Sequence, residues 1–330
     1  MNESEILPGI SLVARSPHPV AGIEAVVICP TFRRPDHLLK TLHSLQAQQT
    51  VRRFAVIVME NEAEDREGAA VAAPLFEGGE MQGMVVIAHE RGNCSAYNAG
   101  LQTALQHYPD FRHVLIIDDD EVADVQWIEL MIAAADRYSA DLVGGPQRPV
   151  FANPGKNRFE HHPVFKPAHH KSGPVRVLYS SGNLLIGKQV LKALDQPFFD
   201  PRFNFLGGGD IDLVSRCTAM GFKLAWCEEA CVYETVPERR LQADWIRARS
   251  LRNGVISTLV EKRQRAEEPF GGIRTFMKSA ALLGLAPFRA ARDVAKGSIV
   301  TGQYRLYIAL GRILAHFGYQ NEQYRQPEKN

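Results

Sequence analysis

Asp118, Asp119, Asp120 and Glu121 follow directly on the apolar run HVLII at 113–117. Four adjacent acids repel one another, and a buried strand has no need of them. Positive charge must meet them for at least part of the time. In an extended strand end alternate residues share a side, so Asp118 and Asp120 face one ligand, with roughly 6–7 Å between their Cα atoms. Two hard carboxylates together with phosphate oxygens suit Mg²⁺ or Mn²⁺. Such an ion lets a nucleoside diphosphate leave by neutralising its developing charge. The competing reading is that the acids cap the following helix, whose N-terminus favours negative charge.

A second constellation is NFLGGGDIDLVSR at 204–216. Three glycines deliver Asp210 to a helix start, where backbone can pass close to a ligand. Asp210 is either the N-cap of that helix or a general base that takes a proton from an attacking hydroxyl. Asp212 supports it or pairs with Arg216, four residues along the helix. A third constellation gathers Arg239, Arg240, Arg247, Arg249 and Arg252. Guanidinium groups match phosphate oxygens bidentately, and the competing reading is a solvated basic helix face.

These residues need elements to hold them. Residues 1–22 read as a loose leader. Strands are expected at 23–30, 53–61, 83–90, 113–120 and 140–146, with helices at 34–48, 95–108 and 125–138 between them; Ser95 is the expected cap of the second helix. Alternation of this kind implies an α/β fold, a mostly parallel sheet flanked by helices. Ligands bind such sheets at the carboxyl ends of the strands. Thr31 and Arg33, Glu60 and Asn61, and Asp118 to Asp120 all fall there.

From 146 to 178 the chain is rich in Pro, His and basic residues and lacks periodicity. A loop this long suggests a binding lid or disorder, and 146–176 is the expected acceptor-side loop. Its adjacent histidines, His161/His162 and His169/His170, point apart in a loop, which argues against zinc. Strand returns at 177–187 and within 222–234, helix at 210–221 and 241–264. Amphipathic helical segments fill 270–318.

Net charge is +1 over 330 residues, which gives no ground for nucleic-acid binding by bulk electrostatics. The average conceals an asymmetry. From Arg239 onward there are 17 Lys/Arg against 7 Asp/Glu, and the preceding part holds 21 against 30. An acidic body with a basic tail suggests cation-assisted chemistry in front and an anionic surface behind. Five scattered cysteines without a CxxC pair fit free thiols in a reducing compartment. No signal-peptide pattern is seen, and no apolar run reaches the ~18–20 residues that span a bilayer.

VVICPTFRRPDHLLKTLHSL, LIIDDDE with a following Trp, SSGNLLIGKQVL, FLGGGDIDLVSR and VYETVPERR occur in that order. Over residues 23–256 this set resembles the family 2 glycosyltransferases with a GT-A fold, and within them the bacterial exopolysaccharide branch of succinoglycan-type glucosyltransferases. The resemblance implies a metal-dependent, inverting transfer of a hexose from a nucleotide-sugar, a UDP-sugar foremost. Pro30, Thr31 and Arg33 would line the nucleoside pocket, and Glu60 stands where the family usually has an aspartate that reads the base. Asn98 lies on the donor side and Asp118 contacts ribose or sugar with Asp119 beside it, while Arg240 and Arg249, from the arginine constellation above, are the candidates for the donor phosphates. Asp120 would hold Mg²⁺ or Mn²⁺, and Asp210 would be the base. Glu234 occupies a place where many relatives carry a metal-binding histidine, and is an optional ligand.

By the same resemblance the acceptor is a glycan, typically lipid-linked. That gives residues 257–330 a use as a basic amphipathic tail on an anionic membrane, the protein being cytoplasmic and peripheral at the inner face of the plasma membrane. The alternative is a helix pair packed on the catalytic domain or on a second subunit. Other functions remain open at this stage. A sugar nucleotidyltransferase would carry a Gly-rich, Lys-bearing loop after the first strand, where this chain has PTFRRPDH. A dinucleotide-dependent dehydrogenase would need GxGxxG there. A catalytically inactive carbohydrate-binding GT-A protein is a further alternative.

Overall fold

The computed structural model describes residues 4–152, 154–295 and 299–320, with Glu322 and Arg325. Ser4–Leu7 (β1) and Ile10–Arg15 (β2) open the chain. Ala25–Thr31 (β3), Pro35–Gln46 (α1), Phe54–Glu60 (β4), Glu67–Glu77 (α2), Gly83–Ala88 (β5), Asn93–His107 (α3) and His113–Ile117 (β6) then alternate strand and helix. Glu121–Ala123 (β7), Trp127–Tyr138 (α4), Leu142–Gly144 (β8), Gln147–Phe151 (β9), Gly173–Val175 (β10), Asn183–Gly187 (β11) and Lys188–Ala193 (α5) follow. The chain continues through Gly209–Ala219 (α6), Leu224–Trp226 (β12), Val232–Val236 (β13), Ala243–Gln264 (α7), Gly271–Ala295 (α8) and Ile299–Leu314 (α9).

One large sheet runs β1-β2-β5-β4-β3-β6-β11-β8-β12-β10. Its heart, β5-β4-β3-β6, is parallel, as is the β8–β12 pair; the outer joins are antiparallel. All seven residues of β3 are buried, as expected of a parallel strand covered on both faces. Val26, Ile28, Ile57 and Val86 face α3, α6 and α7; Val27, Val58, Val85 and Leu115 face α1, α2 and α4. A second sheet, β7-β13-β9, sits beyond the ends of the large one and brings Glu234 opposite Glu121.

Several expectations are corrected. Residues 4–15 are not a loose leader: they form a hairpin whose β2 pairs with β5 and buries Ile10 and Ala14, an alternation short enough to be overlooked. Ser95 is not a cap. The helix starts earlier, after Gly92 (φ 134°), and Ser95 instead exchanges hydrogen bonds with Asn204 at 2.9 and 2.8 Å. Helix α2 was unforeseen because its alanines and the internal Pro74 blur the helical period.

The boundary expected at 256/257 falls inside α7, so the tail is not a separate appendage. A Cβ on Gly254 would meet the carbonyl of Ile308 at 2.2 Å, and one on Gly311 the carbonyl of Leu251 at 2.1 Å. These two glycines let α7 and α9 touch backbone to backbone. The buried Arg312–Glu261 pair (2.6 Å) fastens the same contact.

Candidate active site

The four acids follow the carboxyl end of β6, and their partners come from several elements. Asp118 accepts a very short hydrogen bond from Tyr97 of α3. Burial, followed by the charge of Asp120, pushes its carboxyl up to about 7. Asp119 is buried and accepts from the Thr31 hydroxyl (2.9 Å), the Phe32 amide (3.4 Å) and Arg34 (3.2 Å). Asp120 accepts from Arg34 at 2.8 Å and has Arg240 at 3.6 Å. Glu121 is fully buried, accepts from the Asp118 amide at 2.9 Å, and is bonded by Gln147. Burial and the charge of Asp118 push it well above the usual carboxylate range.

The positive charge that the acids require therefore comes in part from arginines. Arg34 bridges Asp119 and Asp120, and Arg240 lies between Asp120 and Glu234, 2.6 Å from the latter. Burial raises the Glu234 carboxyl while Arg240 opposes the rise. The aspartates do not cap the next helix: Gln126 is the residue before α4, and no side chain caps it. Among the described residues no group of three or more His, Cys, Asp or Glu stands ready-made for a metal ion.

Asp210 lies in the first turn of α6, after Gly207 and Gly208 with φ of 79° and 94°. Gly208, not Asp210, is the capping position. A Cβ on Gly209 would stand 2.5 Å from the Cys94 sulfur, so the third glycine lets α6 close on α3. The Asp210 carboxylate accepts the Ser180 amide at 2.7 Å. Burial raises its pKa, and backbone amides and Arg249 pull the other way. Asp212 does not support Asp210; it is buried between Arg216 (2.9 Å) and Arg263 (2.8 Å).

One loop joins the two halves of the site. Ser181 donates to the Tyr97 hydroxyl at 2.9 Å, and Tyr97 donates to Asp118. Ser180, one residue earlier, holds Asp210 from a left-handed backbone with φ 86°. Gly182, one residue later, is so close that a Cβ would lie 2.9 Å from Asp118 Oδ2 and 2.6 Å from Glu121 Oε1. Residues 180–182 thus touch both the acid cluster and Asp210.

The remaining candidates divide. Pro30 and Thr31 end β3, and Thr31 leans on Asp119. Arg33 adopts φ 55°, pairs with Glu62 at 2.5 Å and keeps 45% of its side chain exposed. Glu60 has no exposed surface; it accepts from the Glu62 amide (2.9 Å) and the Ala69 amide (3.0 Å) at the start of α2. Asn98 bonds both the N–H and the C=O of Phe199, each at 2.8 Å. These two brace the frame behind the rim. Arg249 and Arg240 lie 6.0 and 5.9 Å over Trp245, on the site side of α7.

Arg34, Tyr97, Ser180, Ser181, Gly182 and Gln147 were missed. The sequence held a signal for Arg34, as one of two adjacent arginines directly after a strand, and for Ser180 to Gly182, which open the run SSGNLLIGKQVL, though neither had been given a role. The left-handed turn at Arg33 sets that residue toward Glu62 and leaves Arg34 toward the acids.

A parallel-cored sheet with acids and a glycine-delivered aspartate at its rim is the architecture of a GT-A glycosyltransferase. The Glycosyl transferase family 2 model matches residues 26–196, and the chain belongs to that family. It is 30% identical over 233 residues to the succinoglycan biosynthesis protein ExoM of Rhizobium meliloti (strain 1021), covering 68% of this chain and 71% of that protein. Among solved structures it resembles the mannosyltransferase PcManGT of Pyrobaculum calidifontis in complex with GDP-Man and Mn²⁺. The TM-score is 0.59 at 18% identity, over 91% of this chain and 89% of that one. It also resembles S. aureus TarS (TM-score 0.50, 15% identity, 86% of this chain), and spans 55% of the TarS chain. At these identities the structural likeness establishes the fold.

Proposed function

We propose that the chain moves a hexose from a nucleotide-diphosphate sugar, a UDP-sugar foremost, to a glycan hydroxyl in exopolysaccharide assembly, with inversion at the anomeric carbon. The observation that carries this reading is the placement of Asp210. It is a partly buried carboxylate of raised pKa, anchored to the loop that also contacts Asp118. Asp210 accepts the proton of the acceptor hydroxyl as its oxygen bonds the anomeric carbon. The bond from that carbon to the phosphate oxygen breaks on the opposite face, and the nucleoside diphosphate leaves.

Thr31, Arg33 and Asp118 form the nucleoside and sugar side, with Pro30, Asp119, Glu60 and Asn98 supporting them from behind. Arg240 and Arg249 face the donor phosphates. Asp120 and Glu234, both beside Arg240, are the carboxylates that would hold Mg²⁺ or Mn²⁺, hard cations that take oxygen ligands and share them with substrate phosphates. When bound, the ion supplies charge neutralisation to the departing diphosphate. Arg240, which bridges the two carboxylates, is the group that would exchange partners.

The acceptor is proposed to be lipid-linked and reached at the inner face of the plasma membrane. No helix among the described residues is long and apolar enough to cross a membrane. Helices α8 and α9 instead expose Phe276, Met277, Leu285, Phe288, Ile299 and Leu310 among arginines and lysines, the pattern of a helix lying on an anionic surface. Hydrolysis of a panel of UDP-, GDP- and dTDP-sugars with Mn²⁺ tests the central claim. Cation-dependent release of one nucleoside diphosphate is expected; no release from any donor would sink it.

A further inference from the structure

A cavity of about 240 Å³ lies between α8, α9 and the segment that follows β9. Leu282, Ala286 and Ile308 give it apolar walls, and Arg289, Arg305 and Arg312 share the same lining. A mostly apolar hollow suits hydrocarbon better than water, whereas three guanidinium groups suit an anion. Arg312 is 5% exposed, and its buried Nε has no hydrogen-bond partner among the described residues, although its outer nitrogens hold Glu261 and Ser257. Helices α8 and α9 together carry six Arg/Lys and a single acid, Asp293. Arg305 is paired with Asp293 and Arg312 with Glu261, which leaves Arg289 as the lining arginine without an ion pair among the described residues.

The hollow is also connected to the candidate active site. Pro163 belongs to its lining. The ring of the neighbouring His162 meets Tyr304 edge-on at 5.7 Å, and Phe165 stacks on Trp245 at 6.2 Å. Trp245 lies under Arg240 and Arg249. A row of aromatic contacts thus runs from the cavity to the arginines beside the acid cluster.

We propose that this cavity is a binding site for an amphiphilic phosphate, a long apolar chain ending in a phosphate or diphosphate. The chain lies against Leu282, Ala286 and Ile308, and Arg289 takes the head, which Arg305 joins by exchanging Asp293 for it. The site rests on the reading of a lipid-linked acceptor and gives that acceptor's lipid end a place. It would orient the glycan along the 146–176 segment toward Asp210.

The test is calorimetric titration of the full chain, without donor, with farnesyl phosphate below its micellar concentration, and with farnesol and inorganic phosphate. Farnesyl phosphate is expected to bind at least about tenfold more tightly than either part alone. Arg289→Glu, a change at an exposed position, and Ala286→Phe, which fills the hollow, should each weaken it by about tenfold or more, with the melting temperature of Arg289→Glu unchanged. Equal binding of farnesol would show a merely greasy surface, and equal binding of inorganic phosphate a bare anion site; either overturns the proposal. So does wild-type affinity in Arg289→Glu, which decides the matter if Ala286→Phe fails to fold. Donor hydrolysis is measured separately, so failure of the transferase reading and failure of the lipid-phosphate site are distinguishable.

Discussion

Ser180 donates its amide proton to the Asp210 carboxylate at 2.7 Å, and does so from a left-handed backbone with φ 86°. A non-glycine residue keeps such a conformation only where its surroundings enforce it. Here the enforcement comes from the two residues that follow: Ser181 is bonded to Tyr97, and Gly182 is pressed against Asp118 and Glu121. The orientation of the proposed base is thereby set by the same three residues that contact the donor-side acids.

Asp210→Asn keeps an oxygen to accept the Ser180 amide but cannot take a proton at neutral pH. Turnover should fall by ~10² or more, the range for loss of a general base, while the KM for the nucleotide-sugar changes little. Steady-state kinetics with donor and acceptor varied separately check this. Near-normal turnover would remove Asp210 from the role.

Tyr97→Phe leaves the packing of the ring on Phe199 (centroids 4.9 Å apart) and removes only the hydroxyl. Asp118 then loses a donor and the Ser181 hydroxyl loses its acceptor. A buried pair left unsatisfied costs about 1–3 kcal/mol. Donor KM should rise, because Asp118 is no longer held. Ser181→Ala on top of Tyr97→Phe should add little, since the two changes break one network. Full additivity in denaturant unfolding and in kcat/KM would show that the residues act separately.

Two groups give opposite pH dependences. Asp118 is pushed up to about 7 by burial and by Asp120, from a free-acid value near ~4. A raised acid favours the folded state at low pH, and this contribution is lost as pH rises from ~4 through about 7. His162 is 4% exposed, and burial lowers it to about 4. A depressed base contributes stability above its unfolded value of ~6.5, lost as pH falls toward 4. In melting curves of the ligand-free protein, Asp118→Asn should therefore flatten the loss on going from pH 5 to pH 8. His162→Gln should flatten the loss on going from pH 6.5 to pH 4. If neither variant altered the slopes, the electrostatic description of both sites would be wrong.

The parallel core and the acids at its rim were legible in the sequence because they rest on local signals. HVLII followed by DDDE, and GGGD before a helical period, need no tertiary knowledge to be read. What joins them did not show. Tyr97 looked like one more residue of a helix, and Ser180–Gly182 like the start of a strand that begins only at Asn183. Their roles arise from approach across the sheet, over 84 residues of chain in the case of Ser181 and Tyr97. Glu60 and Asn98 illustrate the reverse. Glu60 stood at a strand end and Asn98 at a place the resemblance gives to the donor side, yet both are taken up by backbone amides and carbonyls.

The outer face of α8 gives the last prediction. Met277 is 61% exposed and Phe288 75% exposed, on a helix that also carries Arg274, Lys278, Arg289 and Arg292. An apolar strip bordered by basic residues gains twice on an anionic bilayer, from burial of the strip and from about 1 kcal/mol for each basic residue near the surface. Neither Met277 nor Phe288 is part of the core, so Met277→Asp with Phe288→Asp should leave the fold and the melting temperature unchanged. In flotation with vesicles containing phosphatidylglycerol, the wild-type protein should rise with the lipid and the double variant should stay behind. High salt should weaken the wild-type association, because screening removes the charge contribution and leaves the apolar one. Equal flotation of the two proteins would mean that this strip does not meet the bilayer. Loss of a dimer in the double variant, read by light scattering, would assign the strip to a second copy of the chain instead.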